Sequence, residues 1–170
     1  MVCHETYRDQ TGSWLYPHEV EKQEGRFIKL SDKTPVTVGR SEKMSKSKFN
    51  VVPAAKIVEE YGADTARLFM LSDSPPERDF EWTEAGIEGS WRYINKLWRL
   101  VNSHLSEIKA IKREERPSSL TPNAIKVQKL THKTLFHVTQ DIERFHYNRY
   151  IARLREFSNF LEEFSPSDPS

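Results

Sequence analysis

Apolar residues recur at alternating four- and three-residue steps through Ile87, Trp91, Ile94, Trp98, Val101, Leu105 and Ile108. That spacing predicts one long amphipathic helix with a continuous apolar seam, which Leu97 and Leu100 broaden. Thr83 stands where it would cap the helix. A lone helix does not keep two tryptophans in water, so Trp91 and Trp98 are expected in a core shared with other helices. Arg92, Lys96 and Arg99 share a second face of this helix. Thr121-Pro122 reads as a cap followed by a first-turn proline, opening a helix to about Phe145 with Ile125, Leu135, Val138 and Ile142. A last helix, with Asn148 as its cap, carries Ile151, Leu154, Leu161 and Phe164. Long antiparallel helices over residues 83–164 imply a bundle. The polar stretch 109–120 reads as a loop, and the Ser/Pro-rich tail 165–170 as disordered.

The first part of the chain has another texture. Within residues 1–50, Trp14-Leu15-Tyr16, Phe27-Ile28-Lys29-Leu30 and Val36-Thr37-Val38 are aromatic or β-branched runs bounded by Gly and Pro. They predict short, edge-like strands in a small irregular β element. From 51 to 82 the reading is of connector helices. Pro53 suits a first turn, Ile57 and Val58 can face inward, and Gly62 is a natural stop. Asp64 starts a second short helix to about Leu71. Arg67, three residues on, makes either an intrahelical ion pair of roughly 0.2–0.5 kcal/mol or a phosphate contact on RNA. Residues 72–82 read as an extended connector. The fold class is thus mainly α with a small β element.

Bulk numbers narrow the classes. In 170 residues, Lys+Arg 26 against Asp+Glu 25 gives a net charge of +1, so any nucleic-acid surface must be a local patch. One cysteine, Cys3, excludes an internal disulfide and fits a reducing compartment. No apolar run approaches the roughly 18 residues of a membrane span, and Met1 is not followed by a charged and then apolar leader. A cytoplasmic, soluble protein without membrane attachment is expected. The six histidines are scattered without zinc spacing, so no bound metal is expected.

The segment richest in chemistry is Lys43-Met44-Ser45-Lys46-Ser47-Lys48. Three ammonium groups this close repel one another, which is useful where a polyanion sits opposite. A triphosphate fits, since ammonium groups act as mobile point charges and Ser hydroxyls add neutral hydrogen bonds. The competing reading is a solvated basic loop.

Residues downstream of the lysines carry a resemblance. Tyr61-Gly62-Ala63-Asp64-Thr65-Ala66-Arg67-Leu68-Phe69, Ser74-Pro75-Pro76-Glu77-Arg78-Asp79-Phe80-Glu81-Trp82, Gly86-Ile87-Glu88-Gly89 and Asn95-Lys96-Leu97-Trp98-Arg99 continue the pattern, with Asp141-Ile142-Glu143-Arg144-Phe145 further on. Together with the Lys43–Ser47 signature loop, they resemble class I aminoacyl-tRNA synthetases. Methionyl, isoleucyl and valyl members share the lysine loop; the Ser-Pro-Pro…Glu-Trp stretch, His4-Glu5-Thr6-Tyr7 and Pro17-His18-Glu19-Val20 resemble the leucyl branch. The resemblance spans nearly the whole chain, weakening after Ser165. It implies that residues 1–50 edge a catalytic domain, 51–82 form a stem-contact connector, and 83–164 form most of an anticodon-binding-type helical bundle.

The implied activity has two steps, activation of leucine with ATP and transfer to tRNA(Leu). Lys46 first and Lys43 second would contact the departing diphosphate from a mobile loop. Ser45 and Ser47 would add support, and Met44 would anchor the loop by packing. Arg67, Arg92, Lys96 and Arg99 would be candidate tRNA contacts. Magnesium would enter as the counter-ion of ATP. Relatives often have a small or polar residue where Phe49 stands, and commonly an acidic one at the position of Val52, which should alter how the loop packs. No His-Ile-Gly-His element is present, so a piece of a larger, monomeric enzyme is expected, inactive alone and prone to self-associate through bare apolar surface. The alternatives are a non-catalytic RNA-binding module of synthetase descent and another class I synthetase.

Overall fold

In the computed structural model, residues 1–111 and 119–164 are described; the predicted tail 165–170 and most of the predicted loop 109–120 lie outside them. The chain forms two compact units, Met1–Met70 with Glu77–Glu88, and Leu71–Pro76 with Gly89–Ser170. The balance is mainly helical with small sheets, as the sequence indicates. No helix among the described residues is long and apolar enough to cross a membrane.

The first unit is built on β1 (Val2–Arg8), which pairs antiparallel with β2 (Trp14–Leu15) and, on its other edge, with β5 (Thr37–Lys43). A separate hairpin joins β3 (Val20–Gln23) to β4 (Arg26–Lys29), turning at Glu24-Gly25, both with positive φ. β1 and β3 are absent from the sequence reading because Val2–Arg8 mixes His, Glu and Arg among its apolar residues. Residues 80–82, expected as extended connector, are instead partly a strand. β6 (Phe80–Glu81) lies parallel to the start of β1, with the Phe80 and Trp82 amides donating to the Met1 and Cys3 carbonyls at 2.7 and 2.8 Å.

Two short helices complete this unit. α1 (Ala54–Tyr61) is entered through Pro53 and closed by Gly62 at φ 84°, and α2 (Ala63–Ser72) comes directly after it. Ile57, Phe69, Phe80 and Ile87 form its buried core, with Val2, Val52, Tyr61, Ala66 and Trp82 packed around them. Phe69 is 2% exposed, and its ring meets Phe80 and Trp82 edge-on at centroid distances of 4.8 and 5.2 Å.

α3 (Glu84–Ser103) begins at Thr83, whose hydroxyl accepts from the Gly86 amide at 3.2 Å. The predicted seam does not run unbroken to Ile108: the helix stops at Ser103, and a short α4 (Leu105–Ala110) takes over. The expectation that Trp91 and Trp98 are core residues is also corrected, for they are 45% and 70% exposed. The reason is which face meets its neighbour. α5 (Pro122–Glu143) and α6 (Tyr147–Glu163) pack together as a hairpin. α6 then meets α3 through Tyr93 and Lys96, on the side opposite the tryptophans at 100° per residue. Ser158 Oγ lies 3.4 Å from Tyr93 Oη, and the Arg155 guanidinium sits 4.8 Å from the Tyr93 ring centroid.

α5 starts as expected: the Ala124 amide donates to the Thr121 hydroxyl at 3.2 Å, with Pro122 in the first turn. Asn148 does not cap α6; it is the helix's second residue, after His146. The turn between the two helices is organised by Asp141, which is 4% exposed. Its carboxylate accepts from Arg153 Nε at 2.6 Å and lies 3.5 Å from Arg149 and 3.7 Å from His146. The hydrogen bond from Arg153 holds the carboxyl below the usual carboxylate range, against the opposing effect of burial. Asp141→Asn should therefore lower unfolding free energy by about 1.5–3 kcal/mol, measured by urea denaturation at pH 7. A carboxyl whose folded pKa is depressed stabilises above the unfolded value of 3.8, and this contribution disappears as pH falls below it. Wild type and variant should thus converge in stability toward pH 2; a difference unchanged between pH 7 and pH 2 would refute the assignment.

Candidate functional site

The lysine cluster is delivered by the end of β5. Lys43 is the last residue of that strand, pairing with Cys3, and the Met44 amide extends the ladder by donating to the Val2 carbonyl at 3.1 Å. Ser45 stays extended at φ −145°, and Lys46–Lys48 then form one tight 3-10 turn. Amides of Lys48 and Phe49 close it by donating to the Ser45 and Lys46 carbonyls at 3.2 and 3.4 Å. The hydroxyls of Ser45 and Ser47 are 2.8 Å apart.

The turn divides its three ammonium groups. Lys48 pairs with Glu42, which also receives Arg40 Nε at 2.9 Å. Hydrogen bonds from Lys48 and then Arg40 hold the Glu42 carboxyl below its ordinary range. Lys43 and Lys46 are exposed and, among the described residues, have no hydrogen-bond or ion-pair partner. The strand end and the turn after it thus present two uncompensated cations with two hydroxyls beside them, an arrangement suited to an oligo-anion. Met44 is anchored chiefly through its backbone amide, a half-buried side chain adding to this.

In this conformation the turn's backbone is tied at both ends. Phe49 adopts φ 58°, the left-handed region that favours glycine. Its ring stacks on Tyr16 at 4.4 Å and 3°, and Tyr16 stacks on His18 at 5.3 Å and 20°. Asn50 is fully buried, accepting from the Ser45 amide at 2.8 Å and donating to backbone carbonyls of β1 and β5. Sequence reasoning does not single out Asn50, Tyr16 or Glu42. The cue is an amide side chain, donor and acceptor at once, two residues after the last lysine of the run.

The candidate RNA contacts lie elsewhere. Arg67 is on α2 and pairs with Asp64 at 2.8 Å, both well exposed. Arg92 and Arg99 are exposed on α3. Lys96 turns inward to α6: its ammonium donates to Asn159 Oδ1 at 2.9 Å and meets Glu162 Oε2 at 2.5 Å. The basic stripe is therefore broken at its middle member. Among the described residues, no group of three or more His, Cys, Asp or Glu is arranged to hold a metal.

Residues 22–83, which include the lysine turn, match the family described as tRNA synthetases class I (I, L, M and V). The leucine–tRNA ligase of Paramagnetospirillum magneticum is 54% identical over 170 residues, covering 99% of this chain and 19% of the relative. That of Rhodospirillum rubrum is 52% identical over 162 residues, 95% of this chain and 19% of the relative. Among solved structures, the Agrobacterium radiobacter K84 agnB2 LeuRS, crystallised as a ternary complex with tRNA and LeuAMS, superposes with a TM-score of 0.66 at 27% identity. That match covers 72% of this chain and 16% of the other. The chain thus spans about a fifth of the length of these curated relatives. With leucine–tRNA ligases aligned to it over almost its whole length, the chain belongs to the class I tRNA synthetases, in their leucyl branch.

Proposed function

We propose that this chain serves a leucine–tRNA ligase as the segment that presents the lysine turn to the triphosphate of ATP. In leucine activation a carboxylate oxygen of leucine attacks the α-phosphorus, and the bond from that phosphorus to the bridging oxygen breaks. Pyrophosphate departs with the electron pair. Negative charge therefore grows on the β and γ phosphates as the bond lengthens. Lys46, with Lys43 beside it, meets that charge where it develops, which lowers the barrier more than it tightens ground-state binding. Ser45 and Ser47 add neutral donors at the same turn. Lys48 is left to neutralise Glu42 and to hold the turn.

The observation that carries this reading is the unequal pairing of the lysines: one is compensated, two are left to face an external anion. Residues 83–164 are assigned to a tRNA-binding helical bundle of the anticodon-binding type, and 51–82 to its stem-contact connector. On them Arg67, Arg92 and Arg99 contact the RNA backbone of tRNA(Leu) by charge neutralisation, while Lys96 ties α3 to α6. Magnesium would enter as the counter-ion that ATP brings, held largely by the phosphates. A non-catalytic RNA-binding module is less favoured, because the curated relatives quoted are ligases.

The test is amino-acid-dependent ATP–pyrophosphate exchange by the full-length protein carrying this segment, run with leucine, isoleucine, valine and methionine. Leucine should drive exchange at least 100-fold better, in kcat/KM, than the other three. A preference for another amino acid would move the assignment within class I, and no exchange with any would favour the binding module.

A further inference from the structure

We propose that Asn50 is a positioning residue for the lysine turn, setting the direction in which Lys46 leaves the backbone. The inference rests on the phosphate-binding reading of that turn. The β1–β5 ladder is irregular between His4 and Thr6, and three backbone carbonyls converge beside that irregularity. Asn50 Nδ2 donates to His4 O and Glu42 O at 3.1 Å each, with Lys43 O at 3.4 Å. On its other side Oδ1 accepts from the Ser45 amide at 2.8 Å. A side chain with 0% exposure thus joins the two strands to the cap residue of the turn.

The chemistry admits few substitutes. The site needs a planar group with two protons for the carbonyls and a lone pair for an amide, all within one short side chain. Asparagine has this set. Aspartate would set a carboxylate against three carbonyl oxygens, and alanine would orphan the Ser45 amide and the carbonyls where water does not reach. Ser45 is the cap residue of the turn, two positions after β5 ends. When its amide is held, the Met44–Ser45 peptide plane is held; the next plane, from which Lys46 leaves, is set by the Ser45 carbonyl, which accepts from the Lys48 amide at 3.2 Å. Phe49, immediately before Asn50, closes the turn in the left-handed region, so the clamp also fixes where the turn ends.

Hydrogen exchange on the 170-residue chain and kinetics on the full-length ligase test this together. In Asn50→Ala the Ser45 amide should exchange at least tenfold faster. The Phe80 and Trp82 amides, bonded to Met1 and Cys3, should keep their wild-type rates. In the ligase, kcat for leucine-dependent exchange should fall ten- to hundredfold with KM for leucine unchanged. If the alanine variant does not fold, Asn50→Ser, which leaves a hydroxyl and room for a water, takes its place with the same expectations. Wild-type kcat in a folded variant overturns the proposal. So does acceleration that spreads equally to Phe80 and Trp82, since that marks a general loss of structure. Lys46→Ala is run alongside. Should it lose exchange while the Asn50 variant keeps it, positioning fails and the phosphate reading stands. Should Lys46→Ala keep wild-type exchange, the phosphate reading fails, and the Ser45 amide rate still decides whether Asn50 holds the turn.

Discussion

Lys46→Ala in a full-length ligase carrying this segment should lower kcat for leucine-dependent ATP–pyrophosphate exchange about 100- to 1000-fold. That equals roughly 2.7–4 kcal/mol of lost transition-state stabilisation, the magnitude found when one donor aimed at developing charge is removed. KM for leucine should stay near the wild-type value, because the turn is assigned to the phosphates and not to the amino acid. Lys43→Ala should change kcat in the same direction with a smaller loss, since Lys43 leaves from the strand and not from the turn. Lys46→Arg should not restore full activity: a planar, forked guanidinium is no replacement for a compact ammonium on a flexible stem. Exchange at the wild-type rate in Lys46→Ala would remove the basis for the functional assignment.

Phe69→Ala is expected to be the most destabilising single change in the first unit, costing about 3–5 kcal/mol by transfer and cavity terms together. The ring is 2% exposed and touches Phe80 and Trp82. It also presses against Gly86. A Cβ on Gly86 would sit 2.3 Å from Phe69 Cε2, 2.7 Å from Cζ and 2.8 Å from the Thr83 hydroxyl. Gly86→Ala alone should therefore cost about 1–3 kcal/mol through overpacking, even though alanine is the better helix former by about 1 kcal/mol. In the Phe69→Ala background most of that clash is gone, and Gly86→Ala should cease to destabilise. Urea denaturation of the four chains measures the coupling, expected within about 0.5–3 kcal/mol. Additive losses would show that the contact between ring and glycine is not the cause.

Features legible in the sequence are those whose cause is local. Thr83 and Thr121 announce their helices because a cap needs only the amide three residues on. Gly62 marks a stop by its own backbone freedom. The lysine turn is legible as chemistry because its charges adjoin one another in the chain. Asn50 is not, because its meaning depends on His4, 46 positions away and on another strand. Trp91 and Trp98 illustrate a different failure. Their period is correct and yields a helix, yet period alone does not say which side a neighbouring helix will take. α6 takes the side of Tyr93 and Lys96, so a residue counted among the cations spans two helices and the indoles remain in solvent.

The column formed by Phe49, Tyr16 and His18 has a kinematic consequence. Aromatic faces hold the turn's trailing end sideways and a strand leads into its other end, so in this conformation both ends of the turn are tethered. If the turn meets a nucleotide as proposed, lysine stems reaching from so tethered a base give up rotamer freedom on contact.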